Sequence, residues 1–137
     1  VAKLSSIMQK KPYVRAALKN FKKKFIKKSS LVVVEGRDIG SKIMKFADLK
    51  LFFTCSKKEK ARRRLKEFKT LNKKITLKQV EKALIQRDKE DTRRKISPLI
   101  MTKNAVLVDT TKLTIKQMEA KLTNLVKNSI NKKYGNL

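Results

Sequence analysis

The side chains in this sequence best equipped for chemistry are arginines and carboxylates that lie close together. Glu35-Gly36-Arg37-Asp38 sets two acids and a guanidinium around a glycine, directly after the apolar run Leu31 to Val34. Arg62, Arg63 and Arg64 are consecutive, and Arg87, Asp91 and Arg94 recur at i, i+4 and i+7 within Gln86 to Arg94, QRDKEDTRR, a stretch without an apolar residue. Guanidinium forks grip carboxylates and phosphates bidentately, and ionised carboxylates accept from amines and hydroxyls. Histidine is absent and Cys55 is alone. That excludes a disulfide framework, a Cys/His zinc site, and Ser-His or Cys-His nucleophilic catalysis.

Each cluster has a bland and a sharp reading. The Gly36-Arg37-Asp38 turn is either a surface ion pair or a reader of phosphate and base, placed at the carboxyl end of a strand where open α/β sheets bind ligands. The three consecutive arginines are either solvated helix surface or anion-recognition groups retained as Arg in a lysine-dominated chain. Arg87, Asp91 and Arg94 form either an internal salt-bridge ladder or a row offered to a phosphate and a sugar on a closing segment. Arg15 lies beside the apolar face of a helix, and composition gives it no role.

These residues need elements to position them. Lys3 to Lys10 suits a short helix, and Pro12 opens a second one with Val14, Ala17, Leu18, Phe21 and Phe25 on an inward face. Leu31 to Val34 reads as a strand buried on both faces. Ile39 to Ala47 is a connection, and Leu49 to Thr54 a second strand. Ser56 with Glu59 predicts a capping box opening a helix from about Lys57 to Thr70, with Ala61, Leu65 and Phe68 inward. Thr76 with Gln79 predicts another, with Leu77, Val80, Ala83 and Leu84 inward, and Ser97-Pro98 ends that helix. Ala105 to Asp109 is a third strand. Thr114 with Gln117 caps a last helix with Ile115, Met118, Leu122, Leu125 and Val126 inward, and the tail from Asn131 is expected to fray. Alternating strands and helices imply a three-layer α/β domain with a parallel sheet. Three strands would leave apolar edges uncovered, so part of the sheet is expected to come from elsewhere.

A length of 137 residues suits one domain, and 40% hydrophobic residues suffice for a core. The net charge of +27 brings nucleic acid and anionic membrane surfaces into consideration. The lysines, however, are spread along the whole sequence without interleaved aromatics, so a general lysine bias is the simpler cause. No run approaches the ~18 apolar residues of a membrane span, and no secretory signal opens the chain. The expectation is a cytoplasmic protein. The sequence begins at Val1, directly in helical sequence, which suggests a missing front segment.

In order, VVEGRDIG, ADLKLFFTCS, ARRRL, QRDKEDTRRKISPL and AVLVDTTKLTI resemble the carboxyl-terminal portion of bacterial cytidylate kinase, from about Ala2 to Val126. SSIMQKKPYVR, Ser5 to Arg15, is similar to the family's monophosphate-binding region. The resemblance implies a nucleoside monophosphate kinase fold of the P-loop kinase type, a three-layer parallel-sheet α/β domain incomplete at its amino terminus. Residues 1–30 would belong to the monophosphate-binding region and 31–130 to the core, with a lid at about 86–98. It implies cytosine recognition by Ser6, Arg15 and Asp38, and phosphate recognition by Arg37 and Arg94. Asp91 would hold the sugar hydroxyls, and Arg87 would lie near the sugar and the transferring phosphoryl group. Arg87 and Arg94 are then the catalytic candidates, and ATP is served by Arg63, which would pack on adenine, and by Arg87. No metal ligand is assigned.

The implied activity is phosphorylation of CMP and dCMP by ATP with Mg²⁺, in pyrimidine nucleotide metabolism, by a monomer with no specific nucleic-acid and no membrane partner. Phosphoryl transfer needs positioning and charge neutralisation, which arginines supply. The chain departs from the family in three places. It has no GxxxxGK[ST], the loop expected to hold the ATP phosphates and Mg²⁺. Lys89, Glu90 and Thr92 stand where Asp and Arg are usual, and Lys45-Phe46 replaces a Pro-Asp pair. An inactive fragment is therefore expected from the chain alone. The rival readings are a basic nucleic-acid-binding module and a remnant without function.

Overall fold

A computed structural model describes residues 11–71, 74–93 and 98–135, with the Arg15 side chain outside the description. Helix α1, Pro12–Lys27, starts with Pro at its first turn and ends on Lys24 and Lys27, cations placed at the negative end of the helix dipole. A single π-helical turn, Ile39–Ile43, follows the Gly36-Arg37-Asp38 turn. Then come β1, Leu51–Thr54, helix α2, Lys57–Thr70, helix α3, Leu77–Arg93, strand β2, Val106–Asp109, and helix α4, Ile115–Tyr134.

The two strands pair in parallel, Leu51 opposite Val106 through Thr54 opposite Asp109. Backbone bonds from Val106 to Lys50 (2.8 Å) and from Thr110 to Thr54 (3.0 Å) extend the ladder at both ends. A parallel pair requires a crossover, and α2 with α3 supplies it. Those helices pack against each other around Ala61 and Val80, both buried, while Val108 is buried in the sheet. Lys60 on α2 and Asp88 on α3 add an ion pair at 2.7 Å.

The helix boundaries follow their caps. Thr76 accepts from the Gln79 amide (3.3 Å) while Gln79 Oε1 accepts from the Thr76 amide (2.9 Å). Thr114 and Gln117 form the same reciprocal pair. The predicted box at Ser56 is only half made. Ser56 Oγ accepts from the Glu59 amide (3.3 Å), but the Ser56 amide donates to Thr111 Oγ1 (2.9 Å), and the Glu59 carboxylate turns to arginines instead.

Four further expectations are corrected. Leu31 to Val34 joins no ladder among the described residues, and Leu31 and Val33 are 87% and 101% exposed. With no neighbouring strand to take its hydrogen bonds, the sheet among the described residues has two strands where three were expected. The apolar face of α1 is likewise uncovered among the described residues, with Phe21 and Phe25 exposed. Leu77, Ala83, Ile115 and Val126 are also exposed where an inward position was expected. The tail does not fray at Asn131: α4 runs to Tyr134 because Lys133 Nζ pairs with Asp48 (2.8 Å) and Ser129 donates to the Asp48 carbonyl (3.4 Å). Gly135, at φ 81°, then closes the helix with its N–H on the Asn131 carbonyl. The predicted helix over Lys3 to Lys10 lies outside the described residues. No helix among the described residues is long and apolar enough to cross a membrane.

Candidate functional site

The first cluster begins at Gly36. Its φ of 156° and the 2.9 Å that would separate an added Cβ from Ile39 Cγ1 leave room for glycine alone. Ile39 is buried and anchors the turn, and the Asp38 carbonyl accepts from the Lys42 amide (2.9 Å) at the start of the π-helical turn. Arg37 and Asp38 are thereby held side by side, half-buried.

Arg37 reaches beyond its sequence neighbour to a residue distant in sequence. Its Nη2 lies 3.1 Å from Oδ2 of Asp91 on α3, and Arg87 Nε lies 3.9 Å from the same oxygen. The helical row is thus partly the i,i+4 ladder that its spacing allows, and partly a partner for a turn more than fifty residues away. Asp91 is the more enclosed member, its side chain 15% exposed. Its backbone carbonyl accepts from the Leu99 amide (2.8 Å), which ties the chain beyond α3 back to the same point. Three predicted site residues, Arg37, Arg87 and Asp91, therefore converge. Ser6, Arg94 and the Arg15 side chain lie outside the described residues.

The second cluster sits at the carboxyl ends of β1 and β2. Arg63 reaches from α2 to donate to the Thr110 carbonyl (2.7 Å), to Thr110 Oγ1 (3.2 Å) and to the Leu113 carbonyl (3.4 Å). Its Nε donates to Glu59 (2.9 Å), and Arg62 grips the same carboxylate with two bonds (2.8 and 3.0 Å). The Arg62 hydrogen bonds, with Arg63 adding to them, hold the Glu59 carboxyl down at about 2. Two of the three consecutive arginines thus share one acid. Arg64 goes elsewhere, to Glu67 and over the Phe68 ring at 4.7 Å. Thr110 is buried and donates to the Thr54 carbonyl (3.1 Å), which joins both strand ends to Arg63. Asp109 accepts from the Thr111 hydroxyl (2.6 Å) and amide (2.8 Å), and these bonds lower its pKa.

Glu59, Thr110 and Thr111 were missed as site residues by sequence reasoning. The usable signal was positional: polar residues immediately after a parallel strand lie where such sheets bind ligands. Among the described residues, no group of three or more His, Cys, Asp or Glu could hold a metal ion.

Arginines thus centre both clusters, one pairing the Gly36 turn with α3 and the other joining α2 to the ends of the parallel strands. The cytidylate kinase family model matches residues 1–128, and the chain belongs to that family. It is 40% identical over 126 residues to a cytidylate kinase of Carboxydothermus hydrogenoformans, covering 92% of this chain and 54% of the relative. It is 41% identical over 117 residues to that of Thermosipho africanus, covering 85% of this chain and 52% of the relative. A bifunctional pantoate ligase/cytidylate kinase of Trichodesmium erythraeum is 42% identical over 123 residues, covering 89% of this chain and 23% of the relative. The chain spans about half the length of the single-function relatives it matches. Family membership implies a P-loop nucleoside monophosphate kinase fold, with which the helices and the small parallel sheet are compatible.

Proposed function

We propose that this chain carries the acceptor portion of a cytidylate kinase, which transfers the γ-phosphoryl group of ATP to CMP or dCMP. The observation that carries this reading is the convergence of Arg37, Arg87 and Asp91, from two separate elements, on one point. In this reading Arg37 holds the monophosphate as a bidentate fork, and Asp91 exchanges its ion pair for sugar hydroxyls. Asp38, fixed beside Arg37 by the Gly36 turn, accepts from the exocyclic amine of cytosine. Ser6, Arg15 and Arg94 complete the acceptor side in the roles that the resemblance gives them. Arg87 and Arg94 neutralise charge on the transferring group.

Arg63 is assigned to adenine. Its guanidinium is already fixed by Glu59 and Thr110, so an adenine ring would meet an ordered plane at little entropic cost. Magnesium, when bound with ATP, supplies charge neutralisation between the phosphates. No residue described here is assigned to it, and the chain contains no GxxxxGK[ST] to share that work. The 137-residue chain alone is accordingly expected to show negligible turnover of ATP and CMP. A substantial rate from it would contradict that expectation.

The test of the acceptor reading is base preference at fixed salt. Calorimetric titration should give tighter binding of CMP than of UMP or AMP, and Asp38→Ala should abolish the difference. Equal affinity for the three nucleotides in the parent chain would count against the reading.

A further inference from the structure

A basic groove lies outside the acceptor reading. An open cavity of about 590 Å³ lies between the later turns of α1 and the π-helical turn with the residues after it. Lys19, Lys23 and Lys27 line one wall, and Lys42 and Lys45 the other. Ile26 and Ile43 supply apolar surface, Phe46 completes the lining, and no carboxylate takes part. The helical wall is regular. Lysines at i, i+4 and i+8 share one face, with their Cα atoms about 6 Å apart along the axis.

Phe46 is the informative residue. It is a large apolar side chain left 97% exposed beside five cations. In sequence the lysines looked scattered and without aromatics. Folding brings this ring to a groove lined by lysines from two elements. The turn bearing it is held in place: Lys50 is buried and donates to the Lys45 carbonyl and to Asn104 Oδ1 (3.1 Å), while Asp48 pairs with Lys133.

We propose that this groove binds single-stranded nucleic acid without sequence preference. Lysine ammonium groups are point charges that track a phosphate backbone without reading bases, and an exposed ring offers a stacking surface to any base. A membrane surface would favour a flat basic face over a concave one. An acidic peptide would satisfy the lysines but meets Phe46 with a ring only where its sequence supplies one, whereas every nucleotide brings a π-face.

The test is fluorescence anisotropy of a short labelled oligothymidylate with the 137-residue chain over a salt series. Replacing Lys19, Lys23, Lys27, Lys42 and Lys45 by Gln should abolish most binding and flatten the salt dependence by up to roughly 3.5 log units per log unit of salt, if all five neutralise phosphates. A charge-matched control, with Lys103, Lys112, Lys116, Lys121 and Lys127 replaced by Gln, should retain the groove's affinity. Phe46→Ala should weaken binding roughly five- to a hundred-fold with the salt slope unchanged. Circular dichroism on each variant separates lost binding from lost folding. Equal loss in both lysine variants would overturn the proposal in favour of diffuse charge. No effect of Phe46→Ala, or equally effective competition by polyglutamate, would overturn it as well.

Discussion

The two arginine clusters are built differently. Arg63 donates to two backbone carbonyls, a hydroxyl and a carboxylate, all within the chain, and Thr110 beneath it is buried. Arg37 has an ion pair with Asp91, contributed by a helix end that carries no apolar residue from Gln86 to Arg93. The first arrangement fixes a guanidinium plane before any ligand arrives. The second keeps an acid and a base together in a contact that an anion can replace. A site meant to hold a flat ring benefits from the first, and a site that must admit and release a phosphate benefits from the second.

This contrast can be broken by mutation. Arg63→Met should cost about 2 kcal/mol of unfolding free energy, since it removes charge-assisted bonds to acceptors at a buried strand end. Arg37→Met should cost less, about 1 kcal/mol, because Arg87 stays beside the enclosed Asp91 carboxylate when Arg37 is removed. Urea denaturation of both variants measures the difference, and equal losses would erase the distinction. Gly36→Ala should cost about 1 kcal/mol through backbone strain and the close approach to Ile39, and should also impair nucleotide binding, because Arg37 and Asp38 are aimed by that turn.

The smallest expected effect is electrostatic. Glu59 has its pKa lowered from 4.5 to about 2 by the Arg62 and Arg63 contacts. A depressed carboxyl contributes stability above its unfolded pKa and loses it as pH falls toward the folded value. The wild-type urea midpoint should therefore fall more steeply between pH 4.5 and pH 2 than that of Glu59→Gln. Parallel curves would show that the pair contributes nothing to folding.

Local chemistry made much of this architecture legible. Helices α2, α3 and α4 begin where Ser56, Thr76 and Thr114 place them, and both paired strands lie within their predicted runs. What failed depended on partners distant in sequence. Leu31 to Val34 has the composition of a buried strand, yet a strand requires a neighbour to take its hydrogen bonds, and composition does not report one. The apolar face of α1 was legible as a face, but not whether anything covers it. Glu59 satisfied a capping-box pattern, but two nearby guanidinium groups compete better for a carboxylate than one backbone amide does. At the site, the row of Arg87 and Asp91 was visible from helical spacing. Its pairing with Arg37 was not, because nothing local links residue 37 to residue 91.

The central claim is that Arg37 is held ready for a phosphate. The most direct measurement compares the affinities of CMP and cytidine for the parent chain and for Arg37→Ala by calorimetric titration. The account predicts that CMP binds more tightly than cytidine to the parent, and that the variant loses roughly tenfold or more in CMP affinity, the scale of a charge-assisted bond, with cytidine unaffected. An unchanged CMP affinity in Arg37→Ala, or equal losses for CMP and cytidine, would contradict it.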